Sequence, residues 1–336
     1  MVLGCHSFRY YDPNKPHHGK DGFVNNYNRE PKASFWKWQW ERLTTSKPEE
    51  PPWVPEVVKT DLAQLKQNQH TTLTWIAHSS ALLQIAGLNI LTDPIFSERA
   101  SPFSFLGPKR QGELPFTLKQ MPDIDVIVIS HSHYDHMDLD TLKELNQMAK
   151  GKTLFLVPLG VKNLLQNEGI TNVQELDWWD VVRVGKLEIY FTPTQHWSAR
   201  TPWDNNQTLW GSWFFKSPEH SVYFAGDTGY SKDFQDIYEK LGAVDLALIP
   251  IGAYAPRWFM KQQHVNTDEA VQMHKDLHAK VSVAIHWGTF RLSDEPMAEP
   301  PVLLKKSLLE AHVPEQQFRV LKRGETLNLE IGRAHV

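Results

Sequence analysis

The hexapeptide His131-Ser132-His133-Tyr134-Asp135-His136 constrains this chain more than any other feature, because it puts four metal-binding side chains into six residues. With 16 histidines in 336 residues, a chance match to H-x-H-x-D-H is rare, roughly two in a thousand. The β-branched run Ile124 to Ile129 leads straight into it and reads as a strand buried on both faces. His131 and His133 lie two residues apart at that strand's mouth, so in extended geometry both imidazoles leave on one face. Asp135 and His136 then turn the chain and offer a carboxylate and a third imidazole to a second site. Imidazole and carboxylate donors without thiolate favour zinc, with iron or manganese as competitors.

Four ligands do not complete two sites, so the others must come from afar. His196 follows the strand-like run Leu187 to Thr192, Asp227 follows Val222 to Ala225, and His286 follows Val281 to Ile285. Taken singly, such a residue more often caps a turn or satisfies the core. Together they repeat one geometry, because open α/β sheets build their sites at strand ends.

The remaining pattern fits this reading. Apolar runs at Leu73 to Ile76, Ala81 to Ile85 and Asn89 to Thr92 predict consecutive strands. Further strands are expected at Leu154 to Pro158, Val181 to Val184, Thr208 to Phe215, Leu246 to Ile251, and near Phe318 and Leu327. Helical spacing covers Asp140 to Met148, Leu159 to Gln166, Lys232 to Leu241, Thr267 to Ala279 with Thr267 as N-cap, and Leu303 to Ala311. Two strand blocks with helices between them predict an α/β protein, an αββα four-layer sandwich. Residues 1–70 read as an irregular arm with a Pro-rich strap, 71–331 as the folded domain, and 332–336 as a tail.

The net charge of −4 argues against nucleic acid as partner. The one cysteine, Cys5, excludes an intrachain disulfide. Met1-Val2-Leu3-Gly4-Cys5 resembles the end of a bacterial lipoprotein signal whose charged start and apolar stretch are missing. Two localisations follow: an envelope lipoprotein tethered through Cys5 with its signal truncated, or a cytoplasmic peripheral membrane protein.

The order H-x-H-x-D-H, His, Asp, His resembles that of the metallo-β-lactamase superfamily. TDPIFSERASP (92–102), GPKR (107–110), SHSHYDH (130–136), ELDWW (175–179) and FTPTQHW (191–197) narrow the likeness, as do LWGSW (209–213), FAGDTGY (224–230), IGAYAPRWFMKQQHV (251–265) and AIHWGTF (284–290). These blocks are similar to those of the N-acylphosphatidylethanolamine-hydrolysing phospholipase D family. The resemblance implies one metal on His131, His133 and His196 and another on Asp135, His136 and His286, with Asp227 bridging. It places Asp93 and His78 behind the ligands and marks His264 as functional near the leaving group. Tyr134, between the ligands, is a candidate phosphate or headgroup contact.

The implied reaction is hydrolysis of N-acylphosphatidylethanolamine, or a related phospholipid, to N-acylethanolamine and phosphatidic acid by a di-zinc-activated hydroxide, with Asp135 and His264 in the machinery. The metal core alone fits a lactonase or phosphodiesterase for small soluble substrates equally well. A di-iron redox protein and a lipid binder with a dead site are the other classes. A phospholipid substrate implies peripheral membrane contact, for which Arg257, Trp258, Phe259 and Met260 are candidates, together with Trp36, Trp38 and Trp40. Phe103, Phe105 and Leu106 beside Lys109 and Arg110 have the same character, apolar side chains flanked by cations. The sequence leaves a homodimer open.

Overall fold

Alternating exposure cannot satisfy strands as apolar as these, so both faces of each sheet must be covered. The computed structural model, which describes residues 8–27, 29, 33–44 and 53–329, shows how. One sheet holds β1 (Thr72–Ala77), β2 (Ser80–Ile85), β3 (Leu88–Thr92), β4 (Val126–Val128), β5 (Leu154–Pro158) and β6 (Val173–Leu176) in that order, with the last strand of the chain beside β1. The other comprises β7 (Val181–Val184), β8 (Leu187–Thr192), β9 (Ser212–Lys216), β10 (Ser221–Phe224), β11 (Leu246–Pro250), β12 (Val281–Ile285) and β13 (Phe318–Arg319), again in sequence order. The closing strand β14 (Thr326–Asn328) pairs antiparallel with β1.

The sheets face each other across a core that includes Trp75, Leu83, Val128 and Leu156 from one and Ile189, Trp213, Phe224 and Ile285 from the other. The outer face of the first sheet is covered by α2 (Leu62–Gln67), α3 (Leu139–Met148) and α4 (Lys162–Asn167), through Leu65, Leu142, Leu145 and Leu165. The second is covered by α5 (Asp233–Leu241), α7 (Thr267–Asp276) and α8 (Glu299–Glu310), through Phe234, Ile237, Met273 and Leu304. This is the four-layer αββα sandwich. The strands β3 to β6 run parallel, as do β10 to β13.

Some local expectations shift. Asn266, not Thr267, caps α7: its side chain accepts from the Glu269 amide at 2.9 Å while the Glu269 carboxylate accepts from the Asn266 amide at 3.2 Å. Such a reciprocal cap is worth about 1 kcal/mol. The short strand β6 and helix α2 form where the sequence carries no clear strand or helix pattern.

The aromatic cluster at the end of the arm forms a helix, α1 (Phe35–Thr44). Its buried Trp38 stacks on Phe259 with centroids 4.7 Å apart and donates its indole proton to Asp294 at 3.0 Å. Aromatic side chains are poor helix formers, so docking decides this helix. The arm is not a loose appendage either, since Phe8 and Phe23 join the intersheet core. Cys5 and the 332–336 tail lie outside the described residues.

Candidate metal centre

Each predicted ligand leaves the carboxyl end of a strand. His131 follows β4 by three residues, His196 follows β8, Asp227 follows β10, and His286 directly follows β12. The loops crowd one another. Gly226 has φ +61°, and a Cβ there would sit 2.5 Å from that of Ser130; only glycine lets the Asp227 turn pass so close. His78, Asp93 and His286 also adopt positive φ, at 54°, 32° and 57°. Non-glycine residues held there mark backbone fixed by its surroundings, a feature that clusters at functional sites.

All seven predicted ligands converge. His131 Nε2 lies 2.8 Å from His133 Nδ1, and His196 Nε2 lies 3.4 Å from that same atom. On the other side, His136 Nε2 and His286 Nε2 lie 3.2 and 3.3 Å from Asp135 Oδ2. Asp227 stands between the two groups: 3.1 Å from both His136 Nε2 and His286 Nε2, and 3.9 Å from both His131 Nε2 and His196 Nε2. His131, His136, His196, Asp227 and His286 are buried, His136 wholly so, while His133 and Asp135 are partly exposed.

Outward hydrogen bonds set the ring tautomers. Asp93 accepts from His136 Nδ1 at 2.7 Å, and from the Ser130 amide and hydroxyl at 2.7 and 2.5 Å. The Gln263 carbonyl accepts from His196 Nδ1 at 2.9 Å. Ser130 Oγ, its proton committed to Asp93, accepts from His131 Nδ1 at 2.9 Å. Each of these rings therefore turns an Nε2 lone pair inward. His136 Nε2 and Asp227 Oδ1 are buried with no hydrogen-bond partner. Lone pairs facing carboxylates across such distances call for positive charge between them.

The electrostatics say the same. Burial pushes the imidazoles of His131 and His196 well below their ordinary range, and neighbouring rings push the same way. At His136 and His286 burial is outweighed by Asp227 and Asp135, which raise the first strongly and the second to about 9. The two carboxylates are themselves held low, chiefly by His136, against a burial effect that opposes it. The donors present, all nitrogen and oxygen, fit divalent metal ions.

The supporting residues sort cleanly. His78 donates from Nε2 to Asp135 Oδ2 at 2.9 Å, and burial lowers its pKa to about 3. It is therefore a neutral donor that orients the carboxylate. His264 lies 3.9 Å from Asp227 Oδ2, with Nδ1 buried and unpartnered.

Other expectations need correction. The Tyr134 hydroxyl donates to the Arg200 carbonyl at 3.0 Å and its ring packs against the Arg200 guanidinium, 3.9 Å from the centroid, so it braces the loop. Phe259 and Met260 are buried against Trp38 because α6 (Arg257–Met260) docks under α1. Arg257 is bound to Glu269 at 2.8 Å and to the His264 carbonyl at 2.7 Å. Of that set only Trp258 is exposed, along with Trp36 and Trp40. Sequence reasoning missed Gln263, which acts through a backbone carbonyl and so leaves no side-chain signal, and Asn25 and Arg200, whose partners lie far along the chain.

Residues 88–287 match a family model described as a β-lactamase superfamily domain. Over 265 residues the chain is 41% identical to the N-acyl-phosphatidylethanolamine-hydrolyzing phospholipase D 1 of Caenorhabditis elegans, covering 75% of this chain and 74% of that protein. It is 42% identical to the mitochondrial N-acyl-phosphatidylethanolamine-hydrolyzing phospholipase D of Saccharomyces cerevisiae, over 68% of this chain and 49% of that one. Among solved structures, an isothiocyanate hydrolase from Delia radicum gut bacteria is similar in fold, with a TM-score of 0.61 at 21% identity, covering 76% of this chain and 98% of that one.

Proposed function

The chain belongs to the metallo-β-lactamase superfamily, is a metal-dependent hydrolase by fold and family, and from that premise we propose that it is a phospholipase D-type phosphodiesterase. It would cleave N-acylphosphatidylethanolamine, or a related phospholipid, to N-acylethanolamine and phosphatidic acid. The observation that carries this reading is the 41% identity to the Caenorhabditis elegans enzyme across three quarters of the chain.

Two divalent ions, zinc by the donor set, would supply a water of lowered pKa and positive charge for the phosphoryl oxygens. His131, His133 and His196 would hold one, Asp135, His136 and His286 the other, and Asp227 would face both. Asp93, Ser130 and the Gln263 carbonyl keep the ring lone pairs aimed inward. His264 is held neutral at working pH, because burial lowers its pKa to about 4. A neutral imidazole can take the proton shed by the attacking water and deliver it to the departing ethanolamide oxygen. This balances the reaction: the phosphorus–oxygen bond to the amide-bearing alcohol breaks, and water supplies the new oxygen.

Lipid access would come over the rim beside α1 and α6. Trp36, Trp40 and Leu43 share the outer face of α1 and are 80%, 68% and 83% exposed. Lys37 Nζ lies 4.6 Å from the ring centre of the half-exposed Trp258. Aromatic groups with adjacent cations suit an anionic interface. The contact proposed is peripheral; among the described residues no helix is long and apolar enough to cross a membrane.

The test is product identification with zinc-loaded protein. It would be offered vesicles of N-acylphosphatidylethanolamine or phosphatidylcholine, a soluble aryl diester, and a lactone. Phosphatidic acid with N-acylethanolamine supports the reading. Turnover of the soluble diester or lactone alone would replace it with the small-substrate alternative.

A further inference from the structure

We propose that the N-terminal arm is part of the metal centre, with Asn25 as a positioning residue for His196. The inference rests on the reading of His196 as a ligand. Asn25 accepts from the His196 amide through Oδ1 at 3.1 Å and donates from Nδ2 to the His196 carbonyl at 3.0 Å. One side chain thus holds both backbone polar groups of one candidate ligand, while the Trp210 indole donates to the same Oδ1 at 3.0 Å. An amide is suited to this because it offers an acceptor and a donor side by side. With Nδ1 of His196 held by Gln263, its ring and its backbone are fixed independently.

The arm reaches this point under restraint. Phe23 donates its amide to the Asn206 carbonyl at 2.9 Å, and Asn26 donates to Asp233 at 2.8 Å. Farther back, Asp177 takes Lys15 Nζ at 2.5 Å, His17 Nε2 at 2.7 Å, His18 Nε2 at 3.0 Å and the Trp178 amide at 2.8 Å. His17, His18 and Asp177 have a metal-binding composition. However, the lysine ammonium and the amide already occupy the carboxylate, and a second cation beside Lys15 would be repelled. The cluster is a latch: it holds the arm so that Asn25 meets His196.

The consequence is kinetic and thermodynamic control of one metal by a segment 171 residues away. Loss of an outer partner typically weakens metal affinity by about 10- to 100-fold. The test is metal release to a chromogenic chelator from zinc-loaded wild type, Asn25→Ala, Asn25→Asp and His196→Ala, each checked for folding by circular dichroism. Asn25→Asp is near-isosteric and keeps the acceptor, so it serves should the alanine variant fail to fold. Expected is release of one zinc about 10- to 100-fold faster in both Asn25 variants, the other zinc unchanged. That fast-release zinc should be the one missing from His196→Ala. Wild-type release in the Asn25 variants, with a zinc missing from His196→Ala, would overturn the positioning role. Two normally held zinc ions in His196→Ala would instead overturn the ligand reading on which it rests.

Discussion

The metal cage and the aromatic rim are both built from bulky ring-bearing side chains, yet they are fixed in opposite ways. In the cage, His131, His136 and His196 each have one nitrogen tied outward, to Ser130, Asp93 and Gln263, and the other aimed inward. These three rings are oriented before any ligand arrives. At the rim, Trp38 is anchored by Phe259 and Asp294, while Trp36 and Trp40 present most of their surface outward. The cage is defined by the protein, and the rim by what it meets. Preorganised groups can be assigned a chemical role from geometry; a surface aromatic acquires one only through its partner.

That contrast predicts a ranking of effects. Asp227→Asn should be the most damaging change, because it replaces the one carboxylate that faces both histidine groups. Steady-state assays should show turnover lost beyond the roughly 10²–10⁴-fold that a single general acid–base group supplies. A variant within tenfold of wild type would mean that Asp227 does not join the two sites. His264→Ala should fall next, roughly 100-fold or more in kcat with metal content unchanged. Full activity would remove it from the mechanism, and lost metal would make it a ligand.

The rim should behave differently. Trp36→Ala combined with Trp258→Ala should weaken sedimentation with anionic vesicles by about tenfold, roughly 1.4 kcal/mol, and leave turnover of a soluble diester untouched. If both readouts fall together, the rim belongs to the cage after all. The smallest effect is expected far from both regions. Burial, assisted by Lys275, lowers the pKa of His274 to about 4, while its ring contacts Ser282 Oγ at 2.8 Å. A histidine stays near 6.5 when unfolded, so the neutral ring's contribution is complete above that pH and drains away as pH falls toward 4. His274→Asn should therefore show a flatter fall in melting temperature over pH 6.5 to 4 than wild type. The difference between the two curves separates His274 from the titrating cage.

The same contrast explains what was legible in the sequence. HSHYDH could be read because its chemistry is local, and Asp227 and His286 because strand runs announce where they emerge. The two-sheet architecture followed from apolar runs whose lengths suit strands. Helix α1 was not legible, since Phe35-Trp36-Lys37-Trp38-Gln39-Trp40 has weak helical preference and folds by docking on α6. Phe259 and Met260 carried the residue types of a lipid-dipping loop, and only packing under Trp38 shows them buried. The Asn25 grip on His196 spans 171 residues, a distance at which no single-sequence pattern carries information. Tyr134 lay inside the motif, but its hydroxyl turned toward Arg200 for reasons that belong to the neighbouring loop.

Metal stoichiometry tests the central claim most directly. After equilibration with zinc and removal of the excess, elemental analysis of the purified protein should give two ions per chain. One ion or none, in protein that keeps its folded circular dichroism signal, would contradict a cage in which these seven side chains serve a pair of cations.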